Sequence, residues 1–239
     1  MTDSAIKQTL AATYDELALE YERAVVPIFR PMAKRLIQLI DLRPGWRVLD
    51  VGTGTGLVAT LAAPYVGKSG KIIGIDSADK MLDIARKKAD QFGFTQCEFR
   101  HGDFEKLEFE KAQFDAALTQ FALHHVDPAQ SLRELHRVLF PGGTLAIHEW
   151  MESSNTPNQA LFETLTKYRV TATDETLARV RAQSARAHSF RVEYGKPEVM
   201  SSALTEAGFG QVKIYEEKHR VRVANVKAFF AMASATPLV

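Results

Sequence analysis

The chain has 239 residues and a composition ordinary for a soluble globular protein, with 46% hydrophobic residues, 25% charged residues and a net charge of +1. This balance gives no global bias toward nucleic acid or an anionic membrane surface. The single cysteine, Cys97, excludes an internal disulfide framework. No apolar stretch approaches the roughly 20 residues of a membrane helix, and no basic and apolar leader follows Met1. We therefore expect one cytoplasmic domain over 1–239.

The N-terminal part of the chain has the pattern of two helices. Residues 4–24 are predicted to be helical, and residues 31–41 carry the apolar stripe of an amphipathic helix. Pro31 suits a position in the first turn of that second helix. We predict that residues 1–43 form a helical lid.

Strand and helix patterns alternate across 44–150, which is the predicted cofactor-binding core. The predicted strands are 46–51, 71–75, 96–101, 114–119 and 143–148, and the predicted helices are 57–65, 78–91 and 128–139. Alternation of this kind predicts an α/β fold with a mostly parallel sheet and helices on both faces.

The pattern is interrupted after Trp150. Residues 151–195 are predicted to be an insertion on the acceptor side of the fold, helical over 160–187. Between Thr176 and Val192 it contains Arg179, Arg181, Arg186 and Arg191 and no acidic residue. They suit a solvated helix face or a site for an anionic acceptor.

Residues 196–239 return to the α/β pattern. We predict a helix over 197–207 and strands over 211–217 and 218–223, which would complete the sheet. The last residues are apolar to the end, which is more typical of a truncated chain than of a natural terminus.

A glycine-rich run carries the clearest functional signal. Residues 48–56 read Val-Leu-Asp-Val-Gly-Thr-Gly-Thr-Gly, and a helix pattern begins at Leu57. A buried strand, a glycine turn and a helix N-terminus together form a site at which the backbone approaches a ligand closely. The run predicts a nucleotide-like cofactor.

Two cofactors fit the run and the acid that follows it. Asp76 ends the second strand, where a carboxylate accepts hydrogen bonds from ribose in NAD and in S-adenosylmethionine alike. The third glycine of a dinucleotide fingerprint would fall at Leu57. A pyrophosphate would be repelled by Asp50, whereas S-adenosylmethionine carries cationic groups. Asp103 follows the third strand, where it suits the adenine amino group. These features favour S-adenosylmethionine.

The chain resembles the class I S-adenosylmethionine-dependent methyltransferases, and within them the small-molecule branch related to ubiquinone and menaquinone C-methyltransferases. The segments that carry the resemblance are Val48–Gly56, Gly74–Asp76, Gly102-Asp103, Phe114-Asp115, Leu123–Pro128 and Leu139–Leu145. The resemblance implies a Rossmann-like sheet of seven strands with an antiparallel last strand, and transfer of a methyl group from S-adenosylmethionine, which leaves S-adenosylhomocysteine.

The resemblance also implies roles for individual residues around the donor. The methionine portion would lie against Asp50, Gly52, Thr53, Gly54, Gly56 and Gln120. Ribose would bind Asp76, with Ser77 and Met81 beside the adenosine, and Asp103 and Phe104 would flank adenine. Tyr14 and Tyr21 lie seven residues apart on one helix face, and we expect their rings to close over the donor.

Methyl transfer is an in-line displacement at an activated carbon, so most of the work of the protein is alignment and exclusion of water. An oxygen or nitrogen nucleophile also needs a base. The candidates are His124 and His125 after the fourth strand, and His148 and Glu149 at the end of the fifth. We expect no metal.

Other functions stay open at this point. An RNA or other nucleic-acid methyltransferase is supported by the arginines at 179–191, although Thr119-Gln-Phe-Ala lacks the motif that grips a flipped base amine. A non-catalytic S-adenosylmethionine-binding domain of a larger protein is a second alternative. A nicotinamide-dependent dehydrogenase is disfavoured by Asp50 and Leu57. We expect a small-molecule acceptor, whose identity the sequence does not specify.

Overall fold

The computed structural model describes residues 3–151 and 175–220, together with the single positions 225 and 228. Its helices are α1 (Asp3–Ala24), α2 (Val26–Leu39), α3 (Leu57–Val66), α4 (Asp79–Phe92), α5 (Pro128–Val138), α6 (Glu175–Tyr194) and α7 (Pro197–Glu206). Its strands are β1 (Arg47–Val51), β2 (Lys71–Asp76), β3 (Cys97–His101), β4 (Phe114–Gln120) and β5 (Leu139–His148), and a short 3-10 helix spans Leu123–His125. The predicted alternation of strands and helices is confirmed.

The five strands form one parallel sheet in the order β3-β2-β1-β4-β5. The order reverses beside β1, and ligands of open parallel sheets bind at such a switch point, beyond the carboxyl ends of the strands. All the predicted site segments that follow β1, β2, β3, β4 and β5 therefore meet along one edge.

Helices cover both faces of the sheet because alternate strand residues point to opposite sides. Val48 packs in the core beneath α2 and α3, whereas its neighbour Leu49 packs in the core beneath α5 and α7. Both side chains are fully buried. The two cores hold the carboxyl ends of the strands in fixed positions.

The prediction of seven strands with an antiparallel last strand is wrong for the described residues, which contain five strands. Residues 211–220 are not in a strand, and Ile214 and Tyr215 are exposed. Among the described residues their alternating pattern has no hydrogen-bonded partner strand, and a strand is stable only within such a ladder. The end of the predicted strand 218–223 lies outside the described residues.

Two helix boundaries also differ from the prediction. Helix α2 begins at Val26, so Pro27 occupies the first turn and Pro31 lies inside the helix. Helix α6 continues to Tyr194, beyond the predicted end at 187, while residues 160–174 lie outside the described part. No helix of the described residues is long and apolar enough to cross a membrane.

Candidate functional site

The glycine loop after β1 has a backbone that only glycine adopts easily. Gly52, Gly54 and Gly56 have φ angles of 67°, 53° and 76°. A Cβ atom on Gly52 would lie 2.3 Å from the Cβ of Ala122, in the segment after β4. The loop is therefore pressed against the segment that follows β4, at the switch point of the sheet.

Asp50 organises this loop from below. Its Oδ2 accepts hydrogen bonds from Thr53 Oγ1 at 2.6 Å and from the Ala59 N–H at 2.9 Å. Burial raises the pKa of Asp50 to about 7, although both hydrogen bonds favour the carboxylate. The structure thus shows that Asp50 orders the glycine loop and the start of α3.

Asp76 connects the end of β2 to the same loop. Its Oδ2 accepts from the Gly54 N–H at 2.8 Å, and its Oδ1 accepts from the Ala78 N–H at 3.0 Å. Desolvation raises the pKa of this carboxyl group. Ser77 is exposed beside it, whereas Met81 is buried under α1. A ribose ligand would meet a carboxylate that is already oriented by two backbone donors.

The two residues predicted to flank adenine have different surroundings. Asp103 is exposed and accepts a hydrogen bond from Lys7 Nζ at 2.9 Å. Phe104 is buried in the core beneath α5, so its ring packs inside the protein. Lys7 also lies 2.7 Å from Glu105, which is buried. The structure thus brings Asp103 to the predicted edge together with an unpredicted cation.

Helix α1 lies against this edge and presents both predicted tyrosines to it. The rings of Tyr14 and Tyr21 make an edge-to-face contact with centroids 6.0 Å apart, and they pack against the cluster of Ala18, Ala78 and Met81. Burial raises the pKa of both phenols. The placement agrees with that of a cover over the cofactor site.

The segment after β4 contains a strained residue and an orphaned polar group. Phe121 has a φ of 54°, which is costly for a residue with a side chain. Its N–H donates to the His148 carbonyl at 2.8 Å, and its ring stacks on Trp150 with centroids 4.2 Å apart. Gln120 Nε2 is buried and has no hydrogen-bond partner among the described residues. A donor without a partner at this position fits an additional ligand.

His124 and Glu149 form a buried pair where the ends of β4 and β5 meet. His124 Nδ1 lies 2.8 Å from Glu149 Oε2, and the Leu123 N–H donates to Glu149 Oε1 at 2.8 Å. His124 Nε2 is buried and lacks a partner among the described residues. The pair therefore fixes the position of the His124 ring and leaves Nε2 available as a hydrogen-bond acceptor or donor, depending on the tautomer.

The other two histidines have more contacts. His125 Nε2 lies 3.0 Å from the Tyr14 hydroxyl, and its Nδ1 lies 3.3 Å from Gln183 Nε2. Burial, assisted by His124 and Arg191, holds the pKa of His125 well below its usual range. His148 packs beside Phe121, and burial lowers its pKa as well. All three histidines lie at the predicted edge. Of their ring nitrogens, His124 Nε2 is the one that is buried without a partner among the described residues.

Several residues at this edge were not predicted. Phe121 and Trp150 directly adjoin predicted site residues, so their aromatic character was an available signal. Lys7 and Glu105 gave none, because their contact joins distant parts of the chain. Among the described residues, no group of three or more His, Cys, Asp or Glu side chains is arranged to hold a metal ion.

Comparison with known proteins agrees with this geometry. A family described as a methyltransferase domain matches residues 42–212, well over half of the chain. The nocamycin O-methyltransferase of Saccharothrix syringae is 31% identical over 226 residues, which are 90% of this chain and 77% of that protein. The ubiquinone/menaquinone biosynthesis C-methyltransferase UbiE of Coxiella burnetii is 30% identical over 210 residues, 84% of this chain and 80% of that protein.

A solved structure shows the shared fold. Phosphoethanolamine N-methyltransferase 2 of Haemonchus contortus, in complex with S-adenosyl-L-methionine, superposes with a TM-score of 0.62 and 18% identity. The superposition covers 85% of this chain and 44% of that chain. The family match and the relatives confirm the predicted donor and reaction. The chain belongs to the methyltransferase domain family and is a class I S-adenosylmethionine-dependent methyltransferase of small molecules.

Proposed function

We propose that this methyltransferase transfers its methyl group to an ionisable oxygen of the acceptor, and that His124 removes the proton from that oxygen. The observation that carries the proposal is the buried His124–Glu149 pair with its uncommitted Nε2. A carboxylate that accepts a hydrogen bond from the Nδ1–H of a histidine fixes the tautomer in which Nε2 has a basic lone pair. This is the arrangement of a general base held in place by a second residue.

In the proposed step, S-adenosylmethionine supplies a methyl carbon made electrophilic by the sulfonium. The C–S bond breaks, and its electron pair goes to sulfur. The acceptor oxygen forms the new C–O bond, and its proton moves to His124 Nε2. Glu149 stabilises the resulting imidazolium, and the Leu123 N–H holds Glu149 in position.

The cofactor residues have proposed roles that follow from their hydrogen bonds. Asp76 would bind ribose, and Gln120 Nε2 would donate to the methionine portion. Asp50 and Thr53 would keep Gly52 and its neighbouring glycines in their loop conformation. Tyr14 and Tyr21 on α1 would exclude water from the donor. Asp103 would bind adenine. These assignments are supported by the position of the residues after the carboxyl ends of neighbouring strands, along one edge of the sheet.

His125 and His148 are weaker candidates for the base. Both nitrogens of His125 have side-chain neighbours within 3.3 Å, and Tyr14 would have to be displaced before an acceptor reached Nε2. His148 lies against the stacked rings of Phe121 and Trp150. We assign both histidines to the walls of the acceptor site.

We also propose a division of the chain into four parts: a lid over 1–43, a core over 44–150, an insertion over 151–195 and a C-terminal part over 196–239. A cytoplasmic location is likewise a proposal. The two relatives are named for methylation at oxygen and at carbon, so the proposal of oxygen rests on the His124–Glu149 pair and not on the relatives. Helix α1 supports the proposed lid because it packs over the residues after β2.

Product analysis tests the proposal. The protein is incubated with S-adenosylmethionine carrying a labelled methyl group and with phenol, 2-hydroxybenzoate and dihydroxybenzoates. We expect methyl ethers, identified by NMR from the chemical shift of the transferred methyl group, and a loss of transfer in His124→Gln. Transfer to carbon or nitrogen only, or an unchanged rate in His124→Gln, would contradict it.

A further inference from the structure

A small cavity adjoins the buried His124–Glu149 pair. It is bordered by the 3-10 helix, the segment after β5, and helices α6 and α7, and it is partly open to solvent. Its lining includes Leu123, His124, Glu149, Phe190, Arg191 and Tyr194. Its closed part has room for a group about the size of a water molecule, so a larger ligand would enter only by its end group and the rest would lie in the open mouth. Its walls are mostly apolar or aromatic, so its few polar groups determine what it binds.

Arg191 is the cation of this cavity. Its guanidinium lies 3.1 Å from His188 Nδ1 on the same helix. Among the residues that the structure describes, no carboxylate oxygen lies within ion-pair distance of it. Burial lowers the pKa of Arg191, and Glu149 opposes that effect from a distance. Arg191 is partly buried. A partly buried cation without a direct counter-ion carries a desolvation cost, and an anionic ligand would offset that cost.

His124 Nε2 is an independent sign of a ligand in the same cavity. It is a polar atom on a side chain that is 4% exposed, and it has no partner among the described residues. Within the described part of the chain, the cavity therefore combines an imidazole nitrogen without a hydrogen-bond partner and a cation without an ion pair. These two groups match an acceptor that brings one anionic group and one acidic hydroxyl.

We propose that Arg191 binds a carboxylate of the methyl acceptor, next to the hydroxyl that faces His124. The inference rests on the proposed function for the role of His124, but not for the binding of the anion. Glu149 already places one negative charge beside the cavity, so a monoanionic carboxylate suits it better than a phosphate dianion.

Calorimetric titration in the presence of saturating S-adenosylhomocysteine tests this proposal without any turnover. The probes are 2-hydroxybenzoate and 2-hydroxybenzamide, which have nearly the same shape and differ in charge. We expect the benzoate to bind about tenfold more tightly or better, the size of one charge-assisted hydrogen bond. Arg191→Gln should abolish this preference, Arg191→Lys should keep part of it, and Arg181→Gln on the same helix should leave it unchanged.

The proposal is overturned if the wild-type protein binds the two probes equally or binds neither. It is also overturned if Arg181→Gln and Arg191→Gln reduce the preference equally, or if inorganic sulfate competes as well as the benzoate, which would indicate a general anion site. Glu149→Gln separates this proposal from the proposed base. Removing the carboxylate should tighten binding of the benzoate through Arg191, while methyl transfer is lost. Weaker benzoate binding in Glu149→Gln would contradict the proposed anion site at Arg191 but not the proposed role of His124 as the base.

Discussion

His124 Nδ1 lies 2.8 Å from Glu149 Oε2, although the two residues are 25 positions apart in the chain. They meet because β4 and β5 are neighbours and the register pairs Gln120 with His148, so the segments after both strands start at the same level. The contact occupies Nδ1 and leaves the buried Nε2 without a partner among the described residues. The pairing of these two strands therefore creates the proposed base.

Replacing Glu149 by glutamine should lower kcat with little effect on the donor. The glutamine can still hydrogen-bond His124 but does not stabilise an imidazolium, so we expect a loss of about 10²-fold or more, the range of general-base catalysis. Steady-state kinetics with a methylated probe measures it. The dissociation constant of S-adenosylhomocysteine serves as the control, and a parallel loss of donor binding would show that Glu149 is structural.

Asp76→Ala should weaken binding of S-adenosylhomocysteine by roughly tenfold or more, since hydrogen bonds to a charged group contribute about 1.5–3 kcal/mol. Calorimetric titration measures the affinity, and circular dichroism checks the fold. Asp79→Ala is the matched control, because Asp79 is an exposed acid three residues away. Wild-type affinity in Asp76→Ala would mean that ribose binds elsewhere.

Alanine variants of Gly52 and Gly54 separate the effect of a steric clash on stability from the effect of an unfavourable φ angle. Gly52→Ala places a Cβ atom 2.3 Å from Ala122, whereas a Cβ atom on Gly54 meets nothing within 4 Å. Both residues have positive φ angles, so each variant carries strain of about 1 kcal/mol. Overpacking should cost Gly52→Ala a further 1–3 kcal/mol or so. Urea unfolding measures the difference, and equal stabilities would contradict the close approach.

Asp50 should make the stability of the fold fall as the pH rises. Its pKa is about 7 in the folded protein and about 3.9 in an unfolded chain. Between these values the folded state binds more protons than the unfolded state, so raising the pH over this window lowers the free energy of unfolding. Above it the penalty is constant.

The variant Asp50→Asn isolates this effect. The amide oxygen can still accept from Thr53 and Ala59, but the group no longer titrates. Urea unfolding across the window should show a weaker decline in stability than the wild-type protein shows. The same pH dependence in both proteins would mean that Asp50 ionises normally in the fold.

The sequence was most informative where the determinants are local. Glycines at every second position, an acid before them and Asp76 at the end of β2 predict the cofactor loop because strand, turn and helix signals adjoin one another. The chain order of β4 and β5 placed the three histidines at one edge. The partnership of His124 with Glu149 depends on side-chain direction, which spacing does not specify. Lys7 meets Glu105 across 98 positions, a contact that no local pattern encodes.

The predicted strands beyond 210 show the opposite case. Alternation between Val212 and Ile214 is a valid local signal, but a strand also needs a neighbour that supplies its hydrogen bonds. Within the described residues, 211–220 lack that neighbour. Pro31 likewise suited a first turn, but Pro27 already occupies that position.

The tautomer of His124 tests the central proposal most directly and needs no acceptor. Long-range ¹H–¹⁵N NMR correlation on the protein with bound S-adenosylhomocysteine distinguishes the two ring nitrogens at about pH 8, above the range in which an ordinary histidine is protonated. Glu149 should hold the proton on Nδ1 and leave Nε2 with a free lone pair, and Glu149→Gln should weaken that preference. A proton on Nε2 in the wild-type protein would contradict a role for His124 as the base.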